Sequence, residues 1–102
     1  MIIIQVPDMN DSVCSVNIKG KVYRLRFTYN SKFDYWSFGI RTQENEPIAE
    51  MIKIVPNYPL AYHITDTRMP DGDFGCITEH TTIGRNDFKE GRAKFVFFPR
   101  GE

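Results

Sequence analysis

From Cys14 to Arg41 apolar residues recur at nearly every second position, and no other feature of the chain limits its fold as much. Cys14, Val16 and Ile18 share one parity while Ser15, Asn17 and Lys19 take the other, which is the pattern of a strand buried on one face. Lys19-Gly20-Lys21 interrupts the run with a glycine able to adopt positive φ in a tight turn. Tyr23, Leu25, Phe27 and Tyr29 then alternate with Arg24, Arg26 and Thr28, so the two runs read as a β-hairpin. After the polar turn Asn30-Ser31-Lys32-Phe33-Asp34, Trp36, Phe38 and Ile40 interleave with Tyr35, Ser37, Gly39 and Arg41 as a third strand with an aromatic face.

The rest of the chain alternates less cleanly. Beyond Gln43-Glu44-Asn45-Glu46-Pro47, the run IAEMIKIV places Ile48, Met51, Ile52 and Val55 on a helical stripe, yet its β-branched residues and the flanking Pro47 and Pro56 favour a strand. Pro56 and Pro59 bracket a turn at Asn57-Tyr58, before a short strand or irregular edge over Leu60-Ala61-Tyr62-His63-Ile64. Another turn is due at Pro70, with a brief strand over Phe74 to Thr78 and a loop over Gly84 to Gly91. The last strand, Arg92 to Pro99, has Phe95 and Phe97 on one face and Val96 and Phe98 on the other. Such a strand is buried on both faces or lies against a partner.

These elements predict an all-β fold, a single small antiparallel barrel or sandwich of about six to eight strands. One domain over residues 1–102 is expected, with Leu25, Phe27, Trp36, Phe38 and Phe95 as its core. Charged residues make up 25% of the chain and apolar ones 41%, which favours neither disorder nor a membrane span. Met1 to Asn10 lacks the basic and long apolar regions of a signal peptide, so no secretory route is expected and the sequon Asn10-Asp11-Ser12 should carry no glycan. Two cysteines, Cys14 and Cys76, are too few for a disulfide framework and are expected to be free thiols in a reducing compartment.

Charge bears on partners. Lys plus Arg and Asp plus Glu number 13 each, so the chain lacks the long-range field by which nucleic-acid binders are steered, and association with other proteins or other copies meets little repulsion. Arg24 and Arg26 nevertheless share a face and would lie near Tyr35 and Arg41 if the strands pair in order, a basic and aromatic surface of the kind that grips single strands. A solvated sheet face explains the same alternation.

The stretch RMPDGDFGCI holds two aspartates and the letters Asp-Phe-Gly. Phosphoryl-transfer chemistry would also need a glycine-rich loop, a strand lysine and a catalytic-loop aspartate, none of which occurs, and the residues after Asp71 and Asp73 do not continue a calcium loop. Pro70-Asp71-Gly72 fits a β-turn, with proline fixing φ and glycine at a left-handed corner. Cys76 with His80, and His63 upstream, could be drawn as a thiol nucleophile and base or as part of a zinc site, but the segments need not converge. Parity sets Cys76 beside Phe74, where it packs rather than reacts. No catalytic, cofactor-binding or metal-ligating residue is therefore assigned. The β-prone ends MIIIQV and KFVFFP either pair with one another or complete a sheet in a neighbouring subunit.

The order of features resembles a family. SVNIKGKVYRLRFTYN, DYWSFGI, ENEPIAEMIKIVPNYPL, MPDGDFGCI and IGRNDFKEGRAKFVFF together are similar to the small β-rich baseplate plug proteins of cyanophages and other tailed phages. Gly20, Tyr29-Asn30, Trp36, Pro59-Leu60, Gly72, Asp87-Phe88 and Gly91 carry the resemblance, while Gln43 to Glu46 lacks the glycine often found at the corresponding turn. The resemblance implies a structural virion protein of the tail or baseplate, packed against hub or tail-tube proteins; synthesis in the host cytoplasm, no membrane and no cofactor are expected, and a homo-oligomer is left open. Two other classes stay open: an OB-like module gripping single-stranded nucleic acid through Arg24, Arg26, Tyr35 and Arg41, and a small thiol enzyme using Cys76 with His80.

Overall fold

The alternating runs become two antiparallel sheets packed face to face, in a computed structural model that describes residues 1–61 and 63–100. The strands are β1 (Ile2–Ile4), β2 (Asp11–Ile18), β3 (Lys21–Asn30), β4 (Tyr35–Thr42), β5 (Pro47–Lys53), β6 (Gly72–Thr78) and β7 (Ala93–Pro99). One sheet is the meander β2-β3-β4-β5, and the other has the order β1-β7-β6. The two do not close on each other, so the sandwich is formed and the barrel, including its OB-like version, is not.

Local chemistry accounts for the meander. Ile18 pairs with Lys21, leaving Lys19 and Gly20 as a two-residue loop with φ of 52° and 83°. Positive φ at both positions is the hairpin turn whose twist matches the strands, and the Asn17 side chain steadies it by accepting from the Gly20 N–H at 2.9 Å. At the next corner the Asn30 side chain accepts from the backbone N–H of Lys32 and Phe33, at 3.0 and 3.1 Å. The uneven alternation of IAEMIKIV has a cause: β5 carries extra residues opposite Phe38 to Ile40 and Ile40 to Arg41, and Met51 has a φ of 55°. Bulges shift parity, so the strand looks partly helical in sequence.

The core is aromatic where the sheets meet. Phe27 from β3 and Phe38 from β4 both touch Phe95 of β7, each with ring centroids 5.0 Å apart, and Phe38 reaches Phe74 of β6 at 5.4 Å. Leu25, Trp36 and Phe97 are also fully buried there, as the alternation requires. The segment 84–91 is a loop, but it is not merely a surface one. Phe88 packs edge-on against Trp36 at 5.7 Å, and the Trp36 indole N–H donates to the Gly84 carbonyl at 3.1 Å.

One local expectation is corrected and two alternatives are decided. The turn before β6 lies at Asp66 to Met69, where the Met69 N–H donates to the Asp66 carbonyl, and not at Pro70-Asp71-Gly72. Arg68 decides this by donating from its guanidinium and its backbone N–H to the Asp66 carboxylate, which holds that group well below the usual range, at about 2. Gly72 instead opens β6 with φ +153°, and a Cβ there would meet the Phe98 carbonyl oxygen at 2.3 Å and the Phe97 ring at 2.5 Å. Of the two alternatives for Leu60 to Ile64 the irregular edge is the one found among the described residues: Leu60 makes one bridge to Phe74, Ala61 turns the chain at φ 60°, and Tyr62 lies outside the described residues. The ends MIIIQV and KFVFFP pair with one another, as the first of their two alternatives had it, with the initial strand confined to Ile2–Ile4.

Candidate interaction surfaces

Three places could carry function: a thiol, an arginine face and an apolar face. The thiol is buried. Cys76 points inward from β6 beside Phe74, and burial, with the Asp87 carboxylate adding to it, pushes its pKa up to about 12. His80 lies exposed past the end of β6, its backbone N–H bonded to the Thr78 hydroxyl at 3.1 Å, and His63 is exposed on a different segment. Cys76 and His80 are thus not brought together as nucleophile and base, and Cys14 and Cys76 are both free. Among the described residues no three His, Cys, Asp or Glu side chains gather to hold a metal ion.

The arginine face is the outer surface of the meander. Register places Arg24 directly opposite Arg41 and Arg26 opposite Gly39, so three guanidiniums do converge, around a shallow cleft of about 390 Å³ that Asp11 and Asn45 also line. Two of them are already satisfied. Arg26 makes a two-pronged bond to Asp11 at 2.9 and 2.7 Å, which lowers the Asp11 pKa and raises that of Arg26, and Arg41 is bonded to Glu50. Tyr35 does not join them. It pairs with Asn30 at the far end of the strands, about 20 Å of strand from Arg41, and the Lys53 ammonium covers its ring at 5.1 Å.

The outer face of β1-β7-β6 differs in kind. Ile3, Val96 and Gly75 line up across its three strands, with Phe98 beside Asp73 on one side and Lys94 beside Ile77 on the other. Val96 is fully buried although it points away from the core, because neighbours on its own face cover it. Those neighbours stay open to solvent: Ile3 is 57% exposed, Phe98 44%, Ile77 42% and the adjoining Tyr58 71%. Gly75 floors a groove of about 330 Å³ between Phe98, Ile77 and Tyr58. Exposed apolar side chains around a shaped depression, with Asp73 and Lys94 on the same face, are a feature of protein-binding surfaces.

Sequence reading found the aromatic strand that is apolar on both faces but not this patch. Its two-sided character was visible at Val96 and Phe98; the groove needed the register that sets Gly75 beside Val96 and the loop that brings up Tyr58. A second feature passed unnoticed, the cluster that fixes the segment between β1 and β2. Arg85 lies over the Trp36 ring at 5.4 Å, bonds Asp8 at 3.0 Å and donates to the Asn10 side chain at 2.6 Å.

An all-β sandwich with a buried thiol, an arginine face on which Arg26 and Arg41 are paired within the chain, and an apolar outer face has the construction of an assembly component. That class is made specific by the family whose profile matches residues 1–100, described as Cyanophage baseplate Pam3 plug gp18. The chain belongs to this family of bacteriophage baseplate plug proteins, which are structural components of the virion. No curated protein matches the chain.

Proposed function

We propose that this protein, as one domain over residues 1–102, is a non-catalytic plug or connector that packs against hub or tail-tube proteins in the tail baseplate after synthesis in the host cytoplasm. The observation that carries the reading is the outer face of β1-β7-β6, where Phe98, Ile77 and Tyr58 line the Gly75 groove and Ile3 lies exposed two strands away. Docking there buries side chains that now face water, and the groove suits one aliphatic or aromatic anchor from the partner. The family supports the setting, and the balance of 13 acidic and 13 basic residues suits a crowded assembly.

Nucleic acid is a poorer partner, since Arg26 and Arg41 already spend their charge on Asp11 and Glu50. Co-expression with the hub and tube proteins of the same phage, followed by affinity capture, tests the proposal. The wild-type chain should co-purify with one of them and occur in purified virions by mass spectrometry, while Phe98→Asp and Ile77→Asp variants should fold and lose the partner. A chain found in neither complex nor virion overturns the reading.

A further inference from the structure

A two-sheet sandwich has four lateral edges, and three of them here are protected. β1 is only three residues long. β5 is bulged twice and begins at a proline. The outer edge of β6 is covered by segment 57–60: the Asn57 and Leu60 N–H groups donate to the Cys76 and Phe74 carbonyls, both at 2.8 Å, and the Asn57 side chain donates to the Thr78 carbonyl at 2.8 Å while accepting from the Thr78 N–H. These are the devices by which sheets avoid pairing with strangers.

The fourth edge, β2, has none of them. Asp11–Ile18 runs for eight residues without proline, glycine, lysine or bulge. Because Ile18 and Lys21 close a two-residue hairpin, the even-numbered residues of β2 bond to β3 and the odd-numbered ones point their N–H and C=O outward. Among the described residues nothing bonds the outward backbone groups of Asp11, Val13, Ser15 or Asn17.

We infer that β2 pairs antiparallel with β2 of a second copy of this chain, joining two meanders into one continuous eight-stranded sheet. The strand's own pattern favours a copy as occupant. With Ser15 opposite Ser15 of the other copy, Val13 faces Asn17, Cys14 faces Val16 and Asp11 comes level with Lys19, so no like charges are opposed; within the chain Asp11 holds Arg26 and the Lys19 ammonium donates to the Arg100 carbonyl at 3.0 Å. Cys14 and Val16 are on the core side but only half-buried, since the opposing sheet is one strand narrower, and this register packs each against the other. The outward pairs at positions 13, 15 and 17 then satisfy backbone groups that no intrachain partner reaches. The inference does not depend on the baseplate reading, because it uses a different surface.

Sedimentation velocity on the wild-type chain across a concentration series, with Ser15→Pro and Lys19→Glu alongside, tests it. Eight residues of edge pairing make a small interface, so a dissociation constant on the order of 10 μM is expected. Ser15→Pro removes only an outward N–H, which edge strands tolerate, and should leave a folded monomer at every concentration. Lys19→Glu sets two acids against Asp11 in each dimer and should weaken association about tenfold. Amide exchange at Val13, Ser15 and Asn17 should slow as wild-type concentration rises. A wild-type chain that stays monomeric at about 1 mM, or variants that dimerise as tightly as wild type, overturns the inference. So does association that leaves those three amides exchanging freely, since the contact would then lie elsewhere.

Discussion

The two sheets of this sandwich share a core but face outward differently. On the meander, the solvent side carries Arg24, together with Arg26 and Arg41 and the acidic partners of those two, and its strands alternate as half-buried strands should. On the three-stranded sheet, the solvent side carries Ile3, Val96, Phe98 and Ile77, so its strands are apolar on both faces. The difference separates two tasks. The meander keeps a charged face in water, while the smaller sheet leaves apolar side chains in water, which is the face we propose for docking.

The comparison can be broken at several points. Phe95→Ala strikes the one ring that touches Phe27, Phe38 and Phe74 across both sheets, and should cost about 3–5 kcal/mol in urea denaturation. A loss below about 1 kcal/mol would mean that the sheets do not depend on each other for their packing. Gly72→Ala introduces a Cβ 2.3 Å from the Phe98 carbonyl at a φ closed to other residues, with an expected loss of about 2–3 kcal/mol. Gly75→Ala is the control on the same strand, since its Cβ would have ordinary contacts at 3.9 Å and should leave stability nearly unchanged while partly filling the groove. Phe98→Ser removes a half-exposed ring and should cost about 1 kcal/mol of stability, yet abolish capture of the baseplate partner. Arg24→Ala should change stability by no more than about 0.5 kcal/mol, and toward higher stability, because it removes a like charge placed directly opposite Arg41. A clear destabilisation there would show that the arginine face does more than keep the meander wet.

How far the sequence went follows the same division. Period two located β2, β3 and β4 and their buried residues, because a sheet wet on one side writes its orientation into every second position. β5 was ambiguous because bulges at Ile40 shift the parity that reading depends on. At the arginine face, pairing in order correctly joined Arg24, Arg26 and Arg41, but Tyr35 belongs to the other end of the strand, a matter of register that spacing alone does not fix. RMPDGDFGCI was read as a turn that delivers Phe74 and Cys76 to one face, and both are indeed buried there. The turn itself was misplaced because Arg68 bonding Asp66 is a local device as strong as the proline that follows it. The apolar face and the open edge of β2 depend on strand order and on which segments cover which, and no run of neighbouring residues records either.

The pairing of β1 with β7 also sets an order in time. Each strand of the meander meets one that lies next to it in the chain, whereas Ile2 meets Phe97 only after nearly everything between them has been made. On a ribosome adding about 5–20 residues per second, the meander can assemble while its chain is still emerging, but β1 must wait several seconds for its partner strand. Pulse-labelled amide exchange during refolding should therefore find Leu25 and Ile40 protected before Ile4 and Phe97, whose amides lie on the β1-β7 ladder. The outer face of β1-β7-β6, which we propose for docking, would then be the last part of the molecule to exist, so a chain that has not finished folding would lack it.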